Sequence, residues 1–272
     1  MNFSLLMSIY NKEKPENFNR CMQSIWDEQS VRPSEIILVE DGKLTKKLYD
    51  VIAIWKQKLK ERMIIVPLEK NVGLGYALNV GLGYCSNEFV ARMDTDDIAL
   101  PNRFAKQIEY MQIYPNVDIV GGWICEFEHN PRRCDRERRV PLMHHDIRSF
   151  ARYRNPLNHM TVLFRKSAVE KSGGYLPMQG FEDYYLWMRM FQSGKQFANI
   201  PDVLVKARTG SSMIRRRQGL AYAQQEWKLE IGAYEIGFWS KKDLVINIVI
   251  RLLPRLLPVV IVEKLYNLLR KT

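Results

Sequence analysis

The chain has 272 residues, of which 46% are apolar and 26% charged, and it shows no low-complexity segment and no internal repeat. This composition excludes a largely disordered protein and allows a sizeable core. The net charge of +11 suits nucleic acid, anionic membranes or phosphorylated substrates. Because no zinc finger, RNP-like motif or recognition helix is recognisable, we predict no nucleic-acid partner.

The first 125 residues alternate short apolar runs with segments of helical periodicity. Strands are predicted at 3–9, 36–39, 63–68, 89–93 and 117–123, and helices at 18–26, 48–59, 76–84 and 101–114. Such alternation is typical of parallel strands joined by right-handed crossovers. We therefore predict an α/β fold whose mostly parallel sheet is flanked by helices.

The pattern is less regular after residue 125. Residues 126–154 are polar and rich in arginine and proline, which indicates a loop-rich segment. A strand is predicted at 161–164 and a helix at 183–191, ended by Gly194. The four cysteines, at positions 21, 85, 125 and 134, lack the spacing of a zinc site or a disulfide scaffold, which favours a reducing cytosol. The amino terminus is interpreted as a strand, not a signal peptide.

The carboxyl-terminal tail is basic and apolar. From Leu244 its apolar run is interrupted by Asn247, Arg251, Pro254 and Arg255, so it is poorly suited to span a bilayer. Interspersed lysine and arginine are typical of a segment that lies on an anionic membrane surface. A terminal helix pair packed on the domain is the alternative.

Carboxylates follow two of the predicted strands. Glu40 and Asp41 end the second strand, where a carboxylate can accept from a nucleobase or a ribose; an ordinary Asp-Gly turn is the alternative. Asn71 and Gly73 precede a helix whose amino terminus would favour anions. Because open α/β sheets bind ligands at the carboxyl ends of their strands, these residues indicate a nucleotide site.

The strongest local signal is Asp94-Thr95-Asp96-Asp97 after the fourth strand. Three carboxylates within four residues repel one another unless a cation or water compensates, and helix capping accounts for only one of them. Asp94 and Asp96, alternating in an extended segment, would face the same side, with Asp94 at the ribose and both at Mg²⁺ or Mn²⁺.

Further candidates occur later in the chain. Glu182 and Asp183 open a helix, and Asp183 is the candidate general base for an attacking hydroxyl, although both acids would also cap that helix. His159 precedes a strand and is a candidate acceptor ligand, with a purely structural histidine nearly as well supported. The run Arg215–Arg217 is a candidate diphosphate clamp, with a solvated charged face as the alternative.

In this order the residues resemble family-2 glycosyltransferases of the GT-A fold, over residues 1 to about 215. The resemblance maps a base-binding acid to Asp41, an aspartate-rich metal motif to Asp94 and Asp96, and a Glu-Asp catalytic motif to Glu182 and Asp183. The opening Ser8-Ile9-Tyr10-Asn11 is similar to that of bacterial surface-polysaccharide enzymes, which places Tyr10 with Glu40, Asp41, Asn71, Gly73, Asp94 and Arg217 at the donor.

The resemblance implies inverting, metal-dependent transfer of one hexose from a UDP-sugar to a polyprenyl-diphosphate-linked acceptor, at the cytoplasmic face of a bacterial inner membrane. It implies a catalytic domain at 1–215, with a nucleotide-sugar half at about 1–125 and an acceptor half at about 126–215, followed by a helical tail at 216–272. In that arrangement His159 and Glu182 contact the acceptor. A non-catalytic sugar-nucleotide scaffold and a sugar-1-phosphate nucleotidyltransferase are the alternatives.

Overall fold

The structure is a computed structural model that describes residues 1–209 and 219–256, apart from the side chains of Leu253 and Leu256. Its strands are β1 (Ser4–Ile9), β2 (Glu35–Glu40), β3 (Met63–Pro67), β4 (Phe89–Arg92), β5 (Ile98–Ala99), β6 (Ile119–Phe127), β7 (Arg136–Arg138), β8 (Leu163–Arg165) and β9 (Phe197–Arg208). The predicted strands of the first half are confirmed, with ends shifted by a few residues.

The strands of the described residues form one sheet in the order β3-β2-β1-β4-β8-β6-β9-β5, with β7 beside β6. Pairs among β1 to β4 are parallel, as is β6 with β9. The pairs β4–β8, β6–β8, β6–β7 and β5–β9 are antiparallel. The sheet is therefore mixed instead of mostly parallel in its second half, where the pairs made by β5, β7 and β8 are antiparallel and only β6–β9 is parallel among the described strands.

The helices flank this sheet. They are α1 (Pro15–Met22), α2 (Lys46–Leu59), α3 (Leu74–Tyr84), α4 (Arg103–Ile113), α5 (His144–Phe150), α6 (Lys166–Lys171), α7 (Glu182–Gln192), α8 (Leu220–Glu235), α9 (Lys241–Asn247) and α10 (Leu253–Leu256). The predicted helices up to α7 are confirmed, and Gly194 follows α7 with φ of 73°.

Both faces of the sheet are buried. Leu5 and Met7 of β1 face a cluster formed with α1, α2 and α4, whereas Leu6 faces a second cluster formed with α3, α7 and α8. A parallel strand covered on both faces reads as a continuous apolar run, which is why Leu-Leu-Met in β1 shows no alternation. The buried layers hold the carboxyl ends of β1, β2 and β4 in fixed positions.

The arginine-rich segment 126–154 contains regular structure that its composition did not predict. Strand β7 pairs with the end of β6, and α5 follows. This hairpin brings Cys125 and Cys134 together as a disulfide, with their Cα atoms 5.5 Å apart. The spacing of the cysteines indicated no disulfide scaffold and did not reveal this pair, because the β6–β7 pairing, not the sequence spacing, determines their separation.

The carboxyl-terminal helices pack against α8. Arg251 and Arg255 both donate to the fully buried carboxylate of Glu226, at 2.8 Å and 2.9 Å. In residues 244–256 the structure therefore agrees with the alternative of a packed tail, and Val245, Val249 and Ile250 remain exposed. Within 1–209 and 219–256, the structure contains no helix of the length and apolarity required to cross a bilayer.

Candidate active site

Strands β1, β2 and β4 are neighbours in the sheet and parallel, so their carboxyl ends share one edge. Tyr10 follows β1, Asp41 follows β2, and the acidic motif begins two residues after β4. Tyr10 is 40% exposed there. The edge predicted to bind a ligand therefore carries the predicted donor residues from three strands.

Asp41 orders the loop that leads into α3. Its carboxylate accepts from the backbone amides of Val72 and Gly73, at 2.7 Å and 3.1 Å, and from the side chain of Asn71 at 3.0 Å. Gly42, with φ of 82°, lets this loop approach, since a Cβ would lie 2.6 Å from the backbone nitrogen of Asn71. Asp41 and Asn71 thus bind each other, and Asp41 fixes the conformation of the loop at residues 71–73.

The acidic motif does not continue as an extended strand. Thr95 and Asp96 form a turn, and β5 then pairs antiparallel with β9. The Thr95 hydroxyl donates to Glu13 at 3.0 Å, which brings a further carboxylate beside the motif. Burial, followed by the charges of Asp94 and Glu13, raises the pKa of Asp96 to about 7. The motif therefore holds more negative charge than its surroundings neutralise.

Carboxylate oxygens are the ligands that Mg²⁺ and Mn²⁺ prefer. The neighbouring charges of Asp94 and Asp96 fit such a cation, and a hard cation that also binds substrate phosphates needs only one or two protein carboxylates. Asp97 lies deeper, because one oxygen accepts from the Arg208 amide at 2.7 Å and the other is buried without a partner among the described residues. No group of three or more His, Cys, Asp or Glu side chains is arranged for a metal within 1–209 and 219–256.

Arg92, at the end of β4, links the motif to the rest of the site. Its guanidinium is fully buried and donates through Nη2 to Asp94 at 2.5 Å. Its charge also acts on Asp183, where it opposes the rise in pKa that burial causes. Asp94 and Asp183, 89 positions apart in sequence, therefore lie within range of one buried cation.

Asp183 lies in the first turn of α7. One carboxylate oxygen accepts from the side-chain amide of Asn155 at 2.6 Å, and the other accepts from the Tyr184 amide at 2.7 Å. Burial raises the pKa of Asp183, while these hydrogen bonds oppose the shift. A carboxylate that is fixed in position and less acidic than usual has the properties of a general base.

Glu182 packs against α3. A Cβ on Gly75 would lie 2.6 Å from the Cγ of Glu182, so only glycine permits this approach. Burial raises the pKa of Glu182, and the charge of Asp183 adds to the rise. The amino-terminal turns of α3 and α7 therefore meet between the donor loop and the candidate base.

His159 is held within the protein. Its Nε2 lies 2.9 Å from the Tyr175 hydroxyl, and its ring packs 5.9 Å from that of Trp187. Burial and the charge of Arg92 keep the pKa of His159 well below its usual value, so the ring is neutral at physiological pH. Arg217 lies outside the described residues.

Four residues at the site were not singled out from sequence: Glu13, Arg92, Asn155 and Arg208. Arg208 ends β9, yet its Nε donates to the backbone of Asp96 at 3.2 Å because β5 pairs with β9. Their roles depend on contacts between distant parts of the chain, which periodicity does not reveal. Arg92 alone carried a local signal, since it stands two residues before the acidic motif.

Comparison with solved structures shows the fold. The Staphylococcus aureus TarS fragment 1–349 bound to UDP-GlcNAc has a TM-score of 0.65 at 16% identity, covering 85% of this chain and 66% of that one. The Pyrobaculum calidifontis mannosyltransferase PcManGT, bound to GDP-Man and Mn²⁺, has a TM-score of 0.61 at 16% identity, covering 100% and 81%. The GT-A fold implied by the resemblance is thus shown.

Two sequence relatives cover nearly the whole chain. The amylovoran biosynthesis glycosyltransferase AmsE of Erwinia amylovora is 44% identical, covering 99% of each protein. A UDP-Gal:alpha-D-GlcNAc-diphosphoundecaprenol beta-1,3-galactosyltransferase of Escherichia coli is 38% identical, covering 94% of this chain and 92% of the relative. Residues 4–173 match the sequence pattern described as Glycosyl transferase family 2. The chain therefore belongs to glycosyl transferase family 2 and is a glycosyltransferase.

Proposed function

We propose that this enzyme transfers one hexose from a UDP-sugar to a sugar linked through a diphosphate to a polyprenyl lipid, during assembly of a bacterial surface polysaccharide. The observation that carries the proposal is the buried guanidinium of Arg92, which donates to Asp94 and whose charge also lowers the raised pKa of Asp183. A donor motif and a candidate base that are both within the electrostatic range of one cation suit a reaction in which both substrates meet in one cleft. The Escherichia coli relative, whose name gives a diphosphoundecaprenol acceptor, supports the substrate class.

In the proposed mechanism Asp183 accepts the proton of the acceptor hydroxyl. The hydroxyl oxygen forms its bond to the anomeric carbon as the bond to the UDP oxygen breaks, and attack from the opposite face inverts the configuration. Asn155 orients the carboxylate through its 2.6 Å hydrogen bond. Glu182 and His159 are assigned to the acceptor side: Glu182 begins α7 next to Asp183, and the His159 ring contacts Trp187 of the same helix while its Nε2 is paired with Tyr175.

Asp94 and Asp96 would hold a divalent cation, which when bound supplies positive charge to the departing diphosphate. Asp94 would also contact the ribose. Glu40, Asp41, Asn71, Gly73 and Tyr10 would surround the nucleoside, and we assign Arg217 to the diphosphate from sequence alone. The hydrogen bonds of Asp41 to the 71–73 loop add a role for that residue, because they shape the surface a base would contact.

Both alternatives lose their support. A sugar-1-phosphate nucleotidyltransferase belongs to another enzyme class, and a non-catalytic scaffold disagrees with membership of a transferase family whose relatives are named for transfer. Addition of a single sugar is favoured because the sequence lacks the Gln-x-x-Arg-Trp motif of processive synthases. We place the enzyme peripherally at the cytoplasmic face of the inner membrane, with the 216–272 tail as its membrane contact.

The test is a panel of UDP-hexoses and other nucleotide sugars, offered with a lipid-diphosphate acceptor, with and without a chelator of divalent cations. We expect transfer with one UDP-hexose, inversion at the anomeric carbon, and loss of activity in chelator that added Mg²⁺ or Mn²⁺ restores. Cation-dependent transfer from a different nucleotide would overturn the donor assignment alone. Activity that is unchanged by the chelator would overturn the cation assignment.

A further inference from the structure

Strand β7 carries two arginines on one face, and one of them, Arg138, contacts the residue that binds the candidate base. β7 pairs antiparallel with β6, and side chains alternate along a strand, so Arg136 and Arg138 share a face while Glu137 lies on the other. Arg138 is half-buried, and its Nη2 donates to the backbone oxygen of Asn155 at 2.9 Å. Arg136 is exposed and stands opposite Glu126 in the ladder.

Asn155 connects this face to Asp183. Its side-chain amide donates to Asp183 at 2.6 Å while its backbone oxygen accepts from Arg138. Since the amide nitrogen and carbonyl oxygen of one asparagine are a few bonds apart, the Arg138 guanidinium lies within roughly 10 Å of the Asp183 carboxylate. The charge of Arg138 accordingly opposes the rise in the pKa of Asp183. The distance corresponds to about the width of one sugar ring and its linkage.

On the opposite face of β7, the arginine is paired with a neighbouring glutamate of the same hairpin. Arg139 donates to Glu137 through Nε and Nη2, at 2.9 Å and 2.7 Å, and its guanidinium lies 5.0 Å from the centre of the Trp123 ring. Arg139 is therefore held in a local pair that faces away from the base. It provides a matched arginine, one residue from Arg138, with no expected part in substrate binding.

The proposed acceptor carries a diphosphate that needs a positively charged partner, and the face of β7 with Arg136 and Arg138 provides positive charge. Its reacting hydroxyl must lie at Asp183, and its diphosphate is attached to the anomeric carbon of the same sugar, one ring away. The donor diphosphate is assigned to the acidic motif and its cation, so it needs no contact with β7. A guanidinium matches phosphate oxygens with two parallel hydrogen bonds and keeps its charge at every physiological pH.

We propose that Arg138, assisted by Arg136, binds the diphosphate of the acceptor, so that the β6–β7 hairpin selects sugars carrying an anomeric diphosphate. This inference rests on the proposed function, because it requires a diphosphate-linked acceptor. Arg138 makes the larger contribution, since Glu126 stands opposite Arg136 and offsets part of its charge. The ligand class is a glycosyl diphosphate, and the lipid itself is not recognised by this face.

The test compares two acceptors at a pH on the plateau of the wild-type pH–rate profile: N-acetylglucosamine α-diphosphate with a short alkyl chain, and the alkyl α-glycoside of the same sugar without phosphate. UDP-galactose and UDP-glucose serve as donors. For Arg138→Gln we expect kcat/KM with the diphosphate acceptor to fall about 10- to 100-fold, the range for one lost charged hydrogen bond. With the glycoside the change should stay below about threefold, because no phosphate contact is lost.

Three further measurements sharpen the comparison. Arg136→Gln should show a smaller loss of the same selectivity, and Arg139→Gln should show none. A short-chain alkyl diphosphate without sugar should inhibit the wild-type protein competitively against the acceptor, with an inhibition constant that rises at least tenfold in Arg138→Gln. Thermal melting of each variant verifies that it is folded.

Equal losses with both acceptors, or an unchanged kcat/KM with the diphosphate acceptor, would overturn the inference while leaving the proposed function intact. Absence of transfer by the wild-type protein to any diphosphate acceptor would instead overturn the proposed function, and this inference with it. Transfer by the wild-type protein thus tests the proposed function. The ratio of kcat/KM between the two acceptors tests the role of Arg138.

Discussion

At the scale of single residues, Asp183 combines burial with specific hydrogen bonds. Burial favours its neutral form and raises its pKa, whereas the amide of Asn155 favours the ionised form. A base must be ionised to act, so activity should fall as the pH drops through the raised pKa of Asp183. The pH at which activity falls on the acidic side of the pH–rate profile, here called the acid limb, therefore reports on the surroundings of this carboxylate.

The variant Asn155→Ala should move that limb to higher pH. Removing the 2.6 Å hydrogen bond takes away a contact that stabilises the charged form, so the pKa of Asp183 rises further and more alkaline conditions are needed for full activity. The measurement is kcat against pH at saturating substrates and cation for both proteins. A limb that stays in place, or moves to lower pH, would contradict the assignment of Asp183 as the base.

Glu230 of α8 offers a second prediction at this scale. Both of its carboxylate oxygens are buried without a hydrogen-bond partner among the described residues, and Arg251 lies 3.8 Å away. Burial raises the pKa of Glu230 to about 8. Its folded-state pKa exceeds the unfolded value, so its contribution to stability is full below the unfolded value and is lost as the pH rises through about 8.

Glu230→Gln should remove this loss of stability. At pH 8.5 we expect the variant to melt a few degrees above the wild-type protein, because roughly 1 kcal/mol shifts the melting temperature of a protein this size by about 2–4 °C. At pH 5 the difference should be smaller. Thermal melting at both pH values is the measurement, and a variant that is less stable at pH 8.5 would show that the charged form is the favoured one.

At the scale of elements, the contact of α3 with α7 positions the acids. A Cβ on Gly75 would lie only 2.6 Å from the Cγ of Glu182. Gly75→Ala should push the start of α7 away from the donor loop and reduce kcat/KM about tenfold or more, since misplacement by about 1 Å costs up to a hundredfold. Steady-state kinetics and a melting curve measure the effect.

Gly83→Ala is the matched control for that variant. Gly83 lies in the same helix, and a Cβ there would meet nothing within 4 Å. An alanine inside a helix is more favourable than glycine by roughly 0.5–1 kcal/mol, so this variant should be slightly more stable and fully active. If both variants lose activity alike, a general effect on α3 and not the contact with Glu182 is responsible.

The elements also show how far the sequence predicts the fold. Strands β1 to β4 and helices α2 to α4 followed from local periodicity, because each buries a continuous apolar face. Strand β7 and helix α5 did not, because β7 has three charged residues and is a strand only through its pairing with β6. The same holds for the site: Asp94 and Asp183 carried local motifs, whereas Asn155 and Arg208 gain their roles from contacts between distant parts of the chain.

At the scale of the whole molecule, the described part of the tail is fixed to the catalytic domain. Arg251 and Arg255 bind Glu226, which has no exposed surface, so deleting the chain from Leu244 would leave a buried carboxylate without its partners. Such a deletion would destabilise the fold as well as any membrane contact. Substitution of exposed side chains separates the two effects.

The triple variant Val245→Ser, Val249→Ser, Ile250→Ser should reduce recovery with membranes while preserving activity on a short-chain acceptor. These side chains are 61%, 53% and 51% exposed, so serine removes apolar surface without opening a cavity. Sedimentation with anionic vesicles measures binding. Ile54→Ser, at a 63% exposed position on α2, is the control and should change nothing. Equal sedimentation of all variants would exclude this surface as the membrane contact.

The most direct test of the account is Asp183→Asn, measured for donor binding and for sugar transfer in the same preparation with Mg²⁺ or Mn²⁺. We expect the Kd for the UDP-sugar to remain near the wild-type value while transfer falls by about 10²- to 10⁴-fold, the contribution of a general base. Asp202→Asn, an exposed acid paired with Lys106, should retain both properties. Turnover close to that of the wild-type protein in Asp183→Asn would contradict the account.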